Sequence, residues 1–126
     1  MSLELEEITL QQKFEEAIAS EDILRIQDFL NDQNISEVAN LIYENENFES
    51  QIISHLSLHR AASVFKILEL PTQKKIIKTL PPFKTAELLN ELPPDDRTSF
   101  LSELPGNAVR ELVKALNPEE RKVTLS

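Results

Sequence analysis

Between residues 52 and 116 the apolar residues of this chain recur every 12 positions, a period that leaves room for little except short helices. The pairs Ile52-Ile53, Val64-Phe65, Ile76-Ile77, Leu88-Leu89, Phe100-Leu101 and Leu112-Val113 each lie 12 residues after the last. Four residues beyond the first member of each pair comes a leucine: Leu56, Leu68, Leu80, Leu92, Leu104 and Leu116. Spacings of three and four place such side chains on one helical face. After the leucine the pattern breaks, at Pro81-Pro82, Pro93-Pro94, Pro105-Gly106 and Asn117-Pro118. Proline lacks an amide hydrogen and clashes with the preceding turn, so it ends one helix, and its fixed φ suits the first turn of the next. Asp95 and Asn107 are good residues for that starting turn. Ser57-Leu58 and Glu69-Leu70 carry the period without paired prolines.

A 12-residue unit holds a helix of two to three turns, too short to stand alone in water. Stability must come from stacking, with each apolar pair and leucine buried against neighbouring units. Burial is expected for Ile53, Phe65, Ile77, Leu89 and Leu101 together with their leucines. The chain has a single glycine, Gly106, and its seven prolines all fall between Pro71 and Pro118. That is the punctuation of a helical chain and not of a β protein. The residues therefore predict an all-α, solenoid-like array of about nine or ten short helices with a 12-residue repeat.

The first 46 residues follow the period less cleanly. A helix is expected near Gln11–Ala19, ending around Ser20. Ser20 is a plausible N-cap for a second helix over Glu21–Leu30, with Leu24, Ile26, Phe29 and Leu30 on its apolar side. Ser36 is the candidate cap of a third, Glu37–Glu44, with Val38, Leu41 and Ile42 inward. Residues 47–56 open the regular array. Residues 1–8 and 123–126 are expected to fray, leaving residues 9–126 as one domain.

The formal net charge is −9, unevenly spread. Residues 1–50 hold 13 acids against Lys13 and Arg25, whereas residues 51–126 hold 9 acids and 11 bases. A nucleic-acid reader needs a strong basic footprint, and this balance argues against one. The acidic half suits a basic partner, a hard divalent cation, or simple solvation of surface helices. Without cysteine there is no disulfide framework, thiolate zinc site or cysteine nucleophile, which fits a reducing compartment. No apolar run approaches the roughly 20 residues that span a bilayer. The acidic start (Glu4, Glu6, Glu7, with no base) is not that of a secretory signal.

Chemistry-bearing patterns are few. His55 and His59 are four apart, a spacing that could ligate a metal, but a helix break is expected between them and no acid lies beside them. One glycine cannot build a phosphate loop, and no serine sits in a nucleophile elbow. Glu15-Glu16 and Glu119-Glu120 read as solvated faces, and no acid is evidently held in an apolar pocket, so no enzyme activity is expected. Lys74, Lys75, Lys78 and Lys84 form the one basic cluster, either a solubilising face or a docking patch. Asp95-Asp96 follows Pro93-Pro94 at a helix start. There the acids could cap the helix and complement its dipole, or offer an oxygen to a hydrated divalent cation.

The run Lys78-Thr79-Leu80-Pro81-Pro82-Phe83, followed by Glu87-Leu88-Leu89-Asn90-Glu91-Leu92-Pro93-Pro94-Asp95-Asp96, resembles the N-terminal cytosolic domain of the MgtE magnesium-transporter family. The resemblance spans roughly residues 10 to 122. It implies a right-handed superhelix of short helices, on the cytoplasmic side of the cell membrane, joined to CBS domains and a membrane pore in a homodimeric parent. It implies a regulatory role in which Mg²⁺ binds weakly between acids of this domain and of the CBS domains and favours the closed pore. The family acid after the leucine-proline break falls at Asp95, with Asp96 beside it, and these are the expected metal residues. Two further family acids fall at Ser99 and Ser63, so two expected carboxylates are hydroxyls. With no CBS or pore segment in it, the chain reads as an excised domain or a free-standing relative, and its end after a repeat unit suits excision. The rival reading is a protein-interaction scaffold built on a similar superhelix, as in the flagellar motor switch protein FliG.

Overall fold

The computed structural model describes residues 8–115, and these residues form nine α-helices and no strand. They are α1 Leu10–Ser20, α2 Ile23–Asp32, α3 Ile35–Glu44, α4 Glu49–His55, α5 Leu58–Ile67, α6 Leu70–Thr79, α7 Pro82–Glu91, α8 Pro94–Ser102 and α9 Gly106–Ala115. The expectations for residues 1–7, Leu116, Asn117-Pro118, Glu119-Glu120 and residues 123–126 lie outside the described residues.

The first three helices start on side-chain caps. Thr9 and Gln12 form a reciprocal capping box on α1, with bonds of 2.9 and 3.0 Å. The cap of α2 is Asp22, whose carboxylate accepts from the amides of Leu24 and Arg25. The expected cap, Ser20, instead donates to the Ala17 carbonyl at 2.6 Å and accepts from the Asp22 amide, because it is still the last residue of α1. Glu21, at φ 56°, turns the chain between the two helices. Asn34, not Ser36, caps α3, and the Ser36 hydroxyl donates to the Asn34 side chain at 2.9 Å. In both cases the structure chooses the side chain that precedes the first helical residue, where an oxygen can reach back to the free amides.

From α4 to α8 the caps change character. No side-chain cap bond is made at the start of α4, α5, α6, α7 or α8. The repeat leucines are the residues on which helices end: Leu56, Leu68, Leu80 and Leu92 are all extended, with ψ between 146° and 153°. They were expected on the helical face. They lie one step past it, and their side chains are nonetheless buried, at 4 to 7% exposure. Leu80 and Leu92 precede prolines, which drive the preceding residue out of the helical region. Leu56 and Leu68 have no proline after them, and side chains from other helices hold their breaks. Asn31 of α2 donates to the His55 carbonyl at 3.1 Å and accepts from the Ser57 amide at 2.9 Å. The Tyr43 hydroxyl of α3 accepts from the Glu69 amide at 2.7 Å, and Gln73 donates to the Phe65 carbonyl at 2.8 Å. Arg60 of α5 likewise donates to the Leu30 and Gln33 carbonyls at the end of α2.

Helices two apart in sequence pack on each other: α1 on α3, α2 on α4, α3 on α5, α4 on α6, α5 on α7 and α7 on α9. The first member of every repeat pair is buried, from Ile52, Val64, Ile76 and Leu88 through Phe100 and Leu112. The second member is not uniform. Ile53, Phe65 and Leu89 are buried, Ile77 and Leu101 are half-buried, as is the repeat leucine Leu104, and Val113 is 47% exposed. Ile77 and Leu101 belong to α6 and α8, the alternate pair that touches least. In the first half, Ile26 and Leu30 are buried and Phe29 is half-buried as expected, but Leu24 is 70% exposed. It lies on the face of α2 turned away from α1 and α4.

Leu92→Ala is expected to cost about 2–5 kcal/mol, the range for removing a buried leucine whose surroundings cannot collapse, and Leu101→Ala clearly less. Urea midpoints check this. Equal losses at the two positions would mean that the buried seam has been placed on the wrong side chains.

Candidate functional site

The site is built on the start of α8. Pro93 and Pro94 open the helix, and Asp95 and Asp96 occupy its first turn, both exposed. Neither carboxylate caps the helix by hydrogen bond, because Pro93 takes the cap position and Asp95 already lies inside the helix. What remains of their expected structural role is the favourable field at a helix N-terminus.

Neighbours in a helix point about 100° apart, and the two acids part company accordingly. Asp96 lines a cleft of about 340 Å³ between α5, α6 and α8, where α6 and α8 stand apart. The walls include Lys66, Gln73, Ser99 and Glu103, over Leu70 and Leu92. The floor is Phe65 edge-on to Phe100, with ring centres 5.3 Å apart. Asp95 does not line this cleft. Ser99 does, one turn after Asp95, whereas Ser63 stays half-buried on α5 and does not. Arg97, next along, turns towards Asn90 at 3.4 Å. Among the described residues no group of three or more histidines and acids is placed to hold a metal ion. Asp95 and Asp96 alone cannot surround a Mg²⁺ ion, which needs six oxygens in octahedral order.

The helix break separates the histidines as expected, but an acid does lie beside one of them: His59 is exposed on α5, 3.5 Å from Glu91, which the next-but-one helix brings in. His55 ends α4, half-buried. Burial first, and the Lys84 ammonium second, hold its imidazole below the ordinary 6.5. Lys84 lines a second cleft, of about 220 Å³, with Ser54, Glu87 and the apolar side chains of Leu58 and Leu88. The basic cluster is thereby divided, since Lys75 of α6 turns to Glu49 of α4 at 3.1 Å.

Glu49 is the functional-looking residue that sequence reasoning missed. It is 8% exposed, where no buried acid was expected. Its second oxygen accepts from the Asn47 amide at 2.9 Å, which the left-handed Asn47 (φ 78°) presents to it. The pair joins α4 to α6 and is a structural tie. The available signal was a lone acid opening the helix two before the lysine cluster.

Residues 33–126, most of the chain, match the family model described as the MgtE intracellular N domain. The matched stretch begins immediately after α2. No curated protein matches the chain.

Two predictions follow from this geometry. Asp95→Asn and Asp96→Asn should each cost no more than about 1 kcal/mol in denaturant titration, the upper end for an exposed acid at a helix N-terminus. For His55, the folded state binds a proton less readily than the unfolded chain does. The stability of the neutral form is complete above the unfolded value of 6.5 and is lost as pH falls below it towards the lower folded value. His55→Gln should flatten the midpoint-against-pH curve below about pH 6.5. An unchanged slope would assign the pH dependence to other groups.

Proposed function

The chain belongs to the MgtE intracellular N-domain family, and on that premise we propose that it senses intracellular Mg²⁺ jointly with adjoining CBS domains and so gates the pore of a magnesium transporter. As a member of that family it is a regulatory domain without catalytic activity. The reading takes residues 9–126 as one domain after a short leading segment, winding as a right-handed superhelix on the 12-residue repeat. Helix starts at Leu58, Leu70, Pro82, Pro94 and Gly106 and the packing of alternate helices support that geometry. The parent is a homodimer, with this domain on the cytoplasmic side of the membrane. No helix among the described residues is long and apolar enough to cross a membrane.

The observation that carries the mechanism is the placement of Asp95. It is exposed at the opening of a helix, its carboxylate makes no cap hydrogen bond, and it stays outside the cleft that Asp96 lines. A carboxylate so placed is free to face an acid on a CBS domain. Two facing carboxylates repel, and a hydrated Mg²⁺ between them removes the repulsion, so the ion binds the compact arrangement better than the open one. That difference in affinity shifts the population towards the closed pore. Ser99 and Ser63 stand where the family has acids, so fewer charges need relief and the response should be shallower.

Mg²⁺-dependent protease protection of the cytosolic part of the intact transporter tests this. Asp95→Asn should shift protection to higher Mg²⁺, with Asp96→Asn shifting it less. Protection over the same range in wild type and Asp95→Asn would place the bridge elsewhere. Insensitivity to Mg²⁺ in both would favour the interaction-scaffold reading. Calorimetry on the isolated domain should find Mg²⁺ binding in the millimolar range or weaker, because one or two carboxylates leave most of the octahedral shell to water. A micromolar site on this chain alone would overturn the shared-site reading.

A further inference from the structure

The outward face of α2 carries three features that each work against the free domain, and one kind of partner would relieve all of them. Leu24 is 70% exposed and Ile23 60%, adjacent and more exposed than most large apolar side chains of the domain. Asp28 and Asp32 follow Leu24 at helical spacings of four, so the three residues form one stripe. The two carboxylates are like charges at i and i+4, an arrangement that weakens a helix. Asp32 is moreover the last residue of α2, with no basic residue in that turn, where the negative end of the helix dipole disfavours an acid. Helices α4, α5, α6 and α9 carry His55, Lys66, Lys78 and Lys114 in their last turns, whereas α3 and α7, like α2, end on an acid, Glu44 and Glu91, without a base there.

Nothing within the described residues offsets this. No ion pair joins Asp28 or Asp32 to another described residue. The stripe edges a shallow hollow of about 720 Å³ bounded by Leu24, Asp28, Asp32, Arg25, Phe29 and the cap Asp22. The inner face of α2 is already spent on the core, through Ile26 and Leu30. Among the described residues the outer stripe makes no ion pair.

We propose that the outer face of α2 docks a lysine- or arginine-bearing amphipathic helix of a partner protein. The partner's apolar stripe covers Leu24 and Ile23. Its basic side chains sit against Asp28 and Asp32, cancelling their mutual repulsion and the clash of Asp32 with the dipole. The charge of the whole region agrees, since the first 50 residues hold 13 acids and two bases. Helix α2 lies ahead of the stretch matched by the family model, so this surface is separate from the Mg²⁺ reading and does not depend on it.

The test uses the full chain and a fluorescent synthetic helix of leucine and lysine placed at amphipathic spacing, with a peptide of the same composition and scrambled spacing as control. Fluorescence anisotropy should show binding of the amphipathic probe that weakens with added salt, and markedly poorer binding of the scrambled one. Leu24→Ser should weaken binding about tenfold, the effect expected of losing one apolar anchor. Asp32→Asn should weaken it severalfold and at the same time raise the melting temperature of the free domain, because it removes an unfavourable charge. Glu69→Gln, an acid elsewhere with the same change of charge, should alter neither in that combination. Circular dichroism confirms that Leu24→Ser, a surface change, remains folded. Equal binding of the two peptides, or indifference to Leu24→Ser, would reduce the effect to general charge attraction and overturn the proposal. A melting temperature unchanged or lowered by Asp32→Asn would overturn it as well. Sedimentation showing a dimer broken by Leu24→Ser would assign the face to a second copy instead, which also overturns it.

Discussion

Every helix in this domain is short, and every short helix leaves backbone amides and carbonyls without partners at both ends. In a chain that stops and restarts about once every 12 residues, those ends are a large share of all the polar backbone there is. The rest of the structure depends on how they are dealt with. The first three helices use Thr9, Asp22 and Asn34 as caps. The breaks after Leu56 and Leu68 are tied by Asn31, Tyr43 and Gln73, the first two reaching across from helices α2 and α3. The later breaks replace these bonds with prolines, which have no amide to satisfy and which set the extended geometry of the leucine before them. Leucine then closes each break from inside, with its side chain in the core.

Packing follows from those joints. Each break redirects the chain so that a helix meets the one two places before it, and the first member of each apolar pair lies in the contact. The exception is at α6 and α8, which touch least. The same separation leaves Ile77 and Leu101 only half-buried and opens the cleft that Asp96, Ser99 and Glu103 line. One local looseness in the stack thus accounts for two unlike observations, an incomplete core and a polar recess. It also distinguishes two adjacent exposed acids: Asp96 lines that recess and Asp95 does not.

The periodic half of the chain was legible because its signal repeats six times and each repetition constrains the same face. The burial of Val64, Leu88 and Leu92 follows directly from it. The misreadings share one cause, which is that side-chain identity does not fix the residue on which a helix begins. Ser20, Ser36 and Asp95 are all good capping residues, yet each lies within a helix, and Asp22, Asn34 and Pro93 hold the cap positions. Likewise the repeat leucines match the helical spacing but stand just beyond the helix. Glu49 was invisible for a different reason. Its burial depends on Lys75, 26 residues away, and on the left-handed turn at Asn47, neither of which a local pattern encodes. The position of Asp95 and Asp96 at a helix start was legible, but which of them lines the cleft is settled only by the rotation of α8.

The leucine joints have a consequence for how such a chain can change length. Because the helix after each joint is aimed by the residue on which the previous one stops, adding a single residue inside a unit would rotate all that follows by about 100° and carry the buried seam off the core. Adding a whole unit would not, since seam and joint would advance together. Growth or shrinkage of this array is therefore quantised: the tolerated insertion or deletion is one complete helix with its leucine stop, and the surface presented at the far end advances by one step each time.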